Sequence, residues 1–100
     1  MKEREAVKKK TNKLAVLLKE ARLQVGLSQV DLAEKLGYET SQFISDWERG
    51  IHAPPIKNLS KICKLLNVNE QKVFDLFIEI AKDKLVHDLE KEFKRSKKRV

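Results

Sequence analysis

One hundred residues with a formal net charge of +7 make one domain with a modest core, and they suit a polyanionic partner such as nucleic acid before an anionic membrane surface. A single cysteine excludes an internal disulfide framework and a cysteine-rich zinc site, and three glycines exclude a glycine-rich phosphate loop. No apolar run approaches the roughly 18 residues of a membrane span.

The start, MKEREAVKKK, lacks the apolar centre of a secretory signal, so the cytoplasm is the expected compartment. Residues 1–13 hold six basic groups against two acids, and residues 94–100 hold five basic groups and no acid. Positive charge therefore sits at the two ends, which are expected to be a solvated basic arm (1–13) and a basic tail (94–100), while residues 14–93 carry a net −2.

Between these ends apolar residues recur at helical spacing, which predicts an all-α domain. A first helix is predicted after Thr11 or Asn12, burying Leu14, Leu17, Leu18, Ala21 and Val25, with Gly26 as its left-handed cap. The second opens at Ser28, where Ser28-x-x-Asp31 has the form of a capping box, buries Val30, Leu32, Ala33 and Leu36, and stops at Gly37. The third is capped by Thr40 or Ser41, turns Phe43, Ile44 and Trp47 inward, and ends at Gly50.

Pro55 suits the first position of a fourth helix that buries Ile56, Leu59, Ile62, Cys63 and Leu66 and closes at Asn67. Asn69 caps a fifth, across which Val68 and Val73 have the spacing of a hydrophobic staple. With no glycine or proline after Asn69, this helix is predicted to run to about Phe93.

Two short amphipathic helices around a glycine-centred turn, in LSQVDLAEKLGYETSQFISDWERG from Leu27 to Gly50, have the form of a helix-turn-helix, which lays its second helix in the DNA major groove. The joint spacing of Gly26-Leu27-Ser28-Gln29, Leu32-Ala33, Leu36-Gly37, Ile44-Ser45, Glu48-Arg49-Gly50, Pro54, Leu66 and Val68 resembles the phage-repressor and Cro-like (XRE) helix-turn-helix family over residues 14–68. That resemblance implies a five-helix, lambda repressor-like fold, with residues 69–93 as a long C-terminal helix covering the core and joining a second subunit. It also implies a sequence-specific, DNA-binding transcriptional regulator, without cofactor, acting on double-stranded DNA as a homodimer.

By the same resemblance Gln29 hydrogen-bonds a phosphate, and Lys57 and Asn58 approach the DNA backbone at the start of the fourth helix. Arg22 and Glu48 match a partly buried ion pair that ties the first helix to the end of the third. Near the front of the third helix, the amide of Gln42 has the donor and acceptor that adenine requires, with Thr40, Ser41, Ser45 and Asp46 as its neighbours. Asp46 can only accept, for example from cytosine N4. Each of these side chains could equally face water or a phosphate.

Two departures from the family pattern matter. Between Gly37 and Ile44 the chain is one residue longer than the commonest form, with the extra residue in or near Glu39, which shifts the first turn of the third helix. Ile51 and His52 stand where the family often has basic or polar groups. Arg49 is the one cation from Glu39 to Gly50 against three acids, so affinity is expected to lean on the basic ends.

Apolar groups on the fifth helix exceed one face, and Leu85, Val86, Leu89 and Phe93 are the surplus available to a second copy, although Lys84 and Asp88 spoil a strict heptad. The alternative is a helix that folds back on its own domain. An acidic third helix also keeps open a protein-interaction module of antitoxin or adaptor type. Enzymatic and metal chemistry find little support: Cys63 lies on an apolar stripe, and His52 and His87 lack partners at ligand spacing.

Overall fold

A computed structural model describes residues 2–98, with side chains from Lys10 onward. The described chain is α1 (Lys2–Gln24), α2 (Gln29–Leu36), α3 (Gln42–Glu48), a 3-10 turn (Ile56–Asn58) running into α4 (Leu59–Leu66), and α5 (Glu70–Lys98), with no strand among the described residues. Arg99 and Val100 of the basic tail, and the side chains of Lys2, Arg4, Lys8 and Lys9 in the arm, lie outside the described residues.

The helix predicted to begin after Thr11 or Asn12 begins instead at Lys2, so the arm is a continuation of α1. Lys, Glu, Arg and Ala, which dominate residues 2–10, are good helix formers, and no glycine or proline interrupts them. Tertiary contact reinforces propensity: Lys10 Nζ lies 2.6 Å from Asp83 Oδ2 and 3.9 Å from Glu79 Oε2 on α5. The bond to Asp83 raises the Lys10 ammonium above its ordinary value against the opposing effect of desolvation.

Helices α1 and α5 run antiparallel, because Lys10 pairs with Asp83 and Glu79 while Val16, further along α1, shares a groove with Leu76, which lies earlier in α5. Likewise α5 continues past Phe93 to Lys98, the last described residue, as nothing breaks it and its cations in this stretch suit the negative end of the helix dipole. Its 29 residues span about 44 Å at 1.5 Å each, which accounts for a longest axis of 56 Å and a radius of gyration of 16.0 Å, against about 13 Å for a spherical domain of this length. No described helix is long and apolar enough to cross a membrane.

Leu14, Leu18 and Ala21 of α1, Leu32 and Ala33 of α2, Ile44 and Trp47 of α3, Leu59, Ile62, Cys63 and Leu66 of α4, and Val73 and Leu76 of α5 form one core. Four residues expected inside are outside: Val25 is 39% exposed, Val30 55%, Phe43 54% and Ile56 57%. Each has a geometric cause. Val25 lies past the end of α1, in the turn where Leu27 N–H donates to Arg22 O. Val30 sits about 200° around the helix from Leu32, Phe43 about 100° from Ile44, and Ile56 belongs to the 3-10 turn and so misses the α4 stripe.

The ends of α2 follow from two residues. Ser28 Oγ accepts from Asp31 N–H at 2.9 Å while Asp31 Oδ2 accepts from Ser28 N–H at 2.9 Å, and Gly37 closes the helix at φ 83°. The Ser28 N–H, foremost, holds the Asp31 carboxyl below the ordinary aspartate value. A depressed folded value stabilises above the unfolded value, and that contribution is lost as pH falls through the folded one. Ser28→Ala removes only the acceptor of the Asp31 N–H and is expected to cost about 1 kcal/mol, and urea midpoints should show most of that cost persisting in acid, because the bond that titrates, from the Ser28 backbone N–H to the Asp31 carboxylate, is kept in the variant.

Gly50 ends α3 at φ 73°, and a Cβ built there would lie 3.0 Å from Asn12 Oδ1 of α1. Gly50→Ala is expected to lose about 1–2 kcal/mol from the left-handed backbone alone. Chemical denaturation would read this, and Asn12→Ala in the same background should relieve only the contact.

Candidate nucleic-acid interface

Positioning of α3 begins with Arg22, whose side chain is 7% exposed and faces Glu48 at 5%. Arg22 Nε donates to Glu48 Oε2 at 2.6 Å and Nη2 to Oε1 at 2.9 Å, while Nη1 donates to Leu27 O at 2.8 Å. The bidentate grip fixes the end of α3 to α1, and the third bond fixes the loop before α2. The carboxylate, chiefly through these hydrogen bonds, raises the guanidinium above its already high value. Gln29 Nε2 completes the network by donating to Glu48 Oε1 at 3.1 Å. One carboxylate thus orders α1, α2 and α3 together.

On the far side of α3 the surface is open. Thr40 and Gln42 are exposed and Ser41, Ser45 and Asp46 are half-buried. Thr40 rather than Ser41 supplies a side-chain bond at the helix start, its Oγ1 accepting from Gln42 N–H at 3.3 Å, whereas Ser41 occupies the cap position without such a bond. Gln42 Nε2 donates to Asp46 Oδ1 at 2.9 Å, and Arg49 Nη2 donates to the same oxygen at 2.9 Å. The expectation that Asp46 accepts from a base such as cytosine missed this shared contact, which the i, i+4 spacing of Gln42 and Asp46 could have signalled.

Tyr38 is the residue that sequence reasoning overlooked. Its ring lies 5.0 Å from Phe43 and 5.8 Å from Trp47, centroid to centroid, and its hydroxyl accepts from Asn58 Nδ2 at 2.9 Å. The turn between α2 and α3, the first turn of α3 and the 3-10 turn before α4 are therefore joined at one ring. Asn58, expected to approach DNA, has its amide engaged by Tyr38, while Lys57 beside it is exposed with no ion pair among the described residues.

Two further groupings lie away from α3. His52 and His87, far apart in sequence, line one cleft with Asn12, Gly50, Ile80 and Lys84. Cys63 is buried, and its thiol is pushed above the ordinary value by that burial. On the distal half of α5, Leu85, Val86, Leu89 and Phe93 are exposed at positions i, i+1, i+4 and i+8, one continuous stripe of the helix.

Comparison with known proteins follows this geometry. A family model described as helix-turn-helix matches residues 18–73, from the middle of α1 into α5. A relative, the ImmF control region 10 kDa protein of Bacillus phage phi105, is 37% identical over 57 residues, which are 57% of this chain and 62% of the relative. The matched part is thus less than two thirds of the relative's length. Among solved structures, the clp gene regulator ClgR from Corynebacterium glutamicum aligns with a TM-score of 0.55 at 23% identity, over 87% of this chain and 88% of that one; the likeness is one of fold.

Proposed function

The chain belongs to the helix-turn-helix family of DNA-binding transcription regulators, and from that premise we propose that it is sequence-specific, that it sets α3 in the major groove, and that it acts as a homodimer. One observation carries the reading: α3 packs on α1 and α2 while Thr40 and Gln42 stay exposed on its outer face. That leaves the Gln42 amide open to base edges, with Lys57 on a neighbouring element available to a phosphate and Gln29, one amide hydrogen of which is given to Glu48, able to offer only the other. The printed name of the phage relative, a control region protein, points the same way.

Affinity and selectivity come from different parts of the molecule. Helix α3 contains no Lys or Arg, and Arg49 just after it is held by Asp46, so the bidentate grip on guanine is missing from the reading face. Lys57 and the basic ends supply the attraction, each phosphate neutralised adding close to one unit of salt dependence.

The homodimer is supported by the stripe Leu85, Val86, Leu89 and Phe93, which the body of the domain leaves uncovered. Pairing two α5 helices antiparallel about these residues buries the stripe and relates the copies by a two-fold axis. A two-fold axis of that kind matches a palindromic DNA site.

A second reading, an antitoxin-like or adaptor module that binds another protein through α5, is favoured by the net −2 of residues 39–50. Titration of labelled duplexes at several salt concentrations separates the two. Selective binding that survives competitor DNA, with a steep salt slope, supports the regulator. Equal, weak binding to every duplex, abolished by removing residues 94–100 and neutralising the lysines of 2–13, supports the module.

A further inference from the structure

Asp46 Oδ1 is a shared acceptor, taking Gln42 Nε2 and Arg49 Nη2 at 2.9 Å each, with the aspartate side chain 18% exposed and the arginine 57%. We propose that Asp46 is a specificity-determining positioning residue, which fixes the orientation of the Gln42 amide and restrains Arg49 from unselective contact with DNA. The proposal rests on the reading of α3 as the base-reading helix.

A carboxylate can only accept, so the amide of Gln42 must turn its nitrogen toward Asp46 and its oxygen away. A free glutamine presents donor and acceptor in either order. Here one Nε2 hydrogen is committed, and the remaining hydrogen and Oε1 are left in a single order, the pair that adenine N7 and N6 require. Holding that order before binding removes rotamer freedom that would otherwise be lost on the DNA.

Arg49 is the other half of the device. It is the sole cation of residues 39–50, and a guanidinium at the end of a reading helix reaches any phosphate regardless of sequence. Its bond to Asp46 offsets that attraction, and the carboxylate adds a repulsion of its own toward the backbone. Weak unselective affinity and an ordered amide both raise the ratio of specific to nonspecific binding. Asp46 therefore acts without touching a base, in place of the cytosine contact its chemistry first suggests.

The test selects a preferred duplex for the full chain from a randomised pool, then compares that duplex with random-sequence DNA for the wild type, Asp46→Asn, Asp46→Ala, Gln42→Ala and the double variant Gln42→Ala/Asp46→Ala. Thermal unfolding of each verifies that the fold is kept. Asp46→Ala is expected to bind random DNA more tightly, to gain about one unit of salt slope as Arg49 engages a phosphate, and to lose discrimination about as much as Gln42→Ala does, by about 5- to 150-fold at an A·T pair. The double variant should lose no more at that pair. Asp46→Asn, which keeps an acceptor for Gln42 but releases the charge on Arg49, should retain most of the discrimination and gain the salt slope.

An Asp46→Ala variant with unchanged salt slope and unchanged random-DNA affinity overturns the proposal, as does a loss of discrimination confined to a G·C pair and additive with Gln42→Ala. Either leaves the DNA-reading role of α3 standing. A wild-type chain that selects nothing from the pool removes both.

Discussion

Glu48→Ala is expected to lower the free energy of unfolding by about 3–5 kcal/mol, the usual cost of stranding one member of a buried ion pair. Both side chains of the Arg22–Glu48 pair are nearly enclosed, so the guanidinium left behind has little access to water. Its Nε and Nη2 would lose their acceptors while Nη1 keeps Leu27 O, and the Gln29 amide would lose its hold on Glu48 as well. Urea midpoints at neutral pH measure the loss. The isosteric pair Arg22→Met/Glu48→Leu should recover much of it, since replacing both charges removes the uncompensated desolvation. A smaller cost, near the 0–1 kcal/mol that removing an exposed pair such as Arg49–Asp46 incurs, would mean that water reaches the site.

The Leu85→Lys/Leu89→Lys double substitution is expected to convert the proposed dimer to monomers and to weaken binding to a two-half-site duplex by about 10²- to 10⁴-fold, the range spanned by linked binding events. Both leucines are exposed, so the monomer loses almost no buried area and its unfolding midpoint should hold. Sedimentation reads the assembly and half-site duplexes read the intrinsic contact, which should change little. A chain that is monomeric before the substitution, or a two-half-site affinity that does not move, removes α5 as the dimer surface.

Much of the fold was legible because the signals were local. The Ser28 and Asp31 offset writes the start of α2, Gly37 and Asn67 write the ends of α2 and α4 in left-handed backbone, and the apolar spacing of Leu59, Ile62, Cys63 and Leu66 writes a core face. What escaped depended on partners distant in sequence. The stretch 2–13 looks like a solvated arm by charge alone, and only the Lys10–Asp83 pairing shows that α1 has a neighbour there. Periodicity assigned Val30, Phe43 and Ile56 to buried faces because it cannot say where a short helix stops facing the core.

The Arg22–Glu48 grip, across 26 positions, was visible only through resemblance to a family, since nothing nearby in the chain marks either residue. Tyr38 lay outside every pattern because its three contacts come from α3 and from the 3-10 turn that α4 follows. Asp46 was read as an acceptor for a base because helical spacing marks Gln42 and Arg49 as its neighbours without fixing which way their side chains turn.

The antiparallel packing of α1 on α5 has a consequence for biosynthesis. Val73 and Leu76 share a core with Leu14 and Leu18, so α1 waits for α5 to leave the ribosome before its apolar face is sheltered. Such closure of distant segments slows folding relative to neighbour-to-neighbour bundles. The helix-turn-helix thus acquires its native shape only once α5 has emerged, and a ribosome stalled with α5 still in its exit tunnel would hold a helix-turn-helix whose supporting helix remains wet.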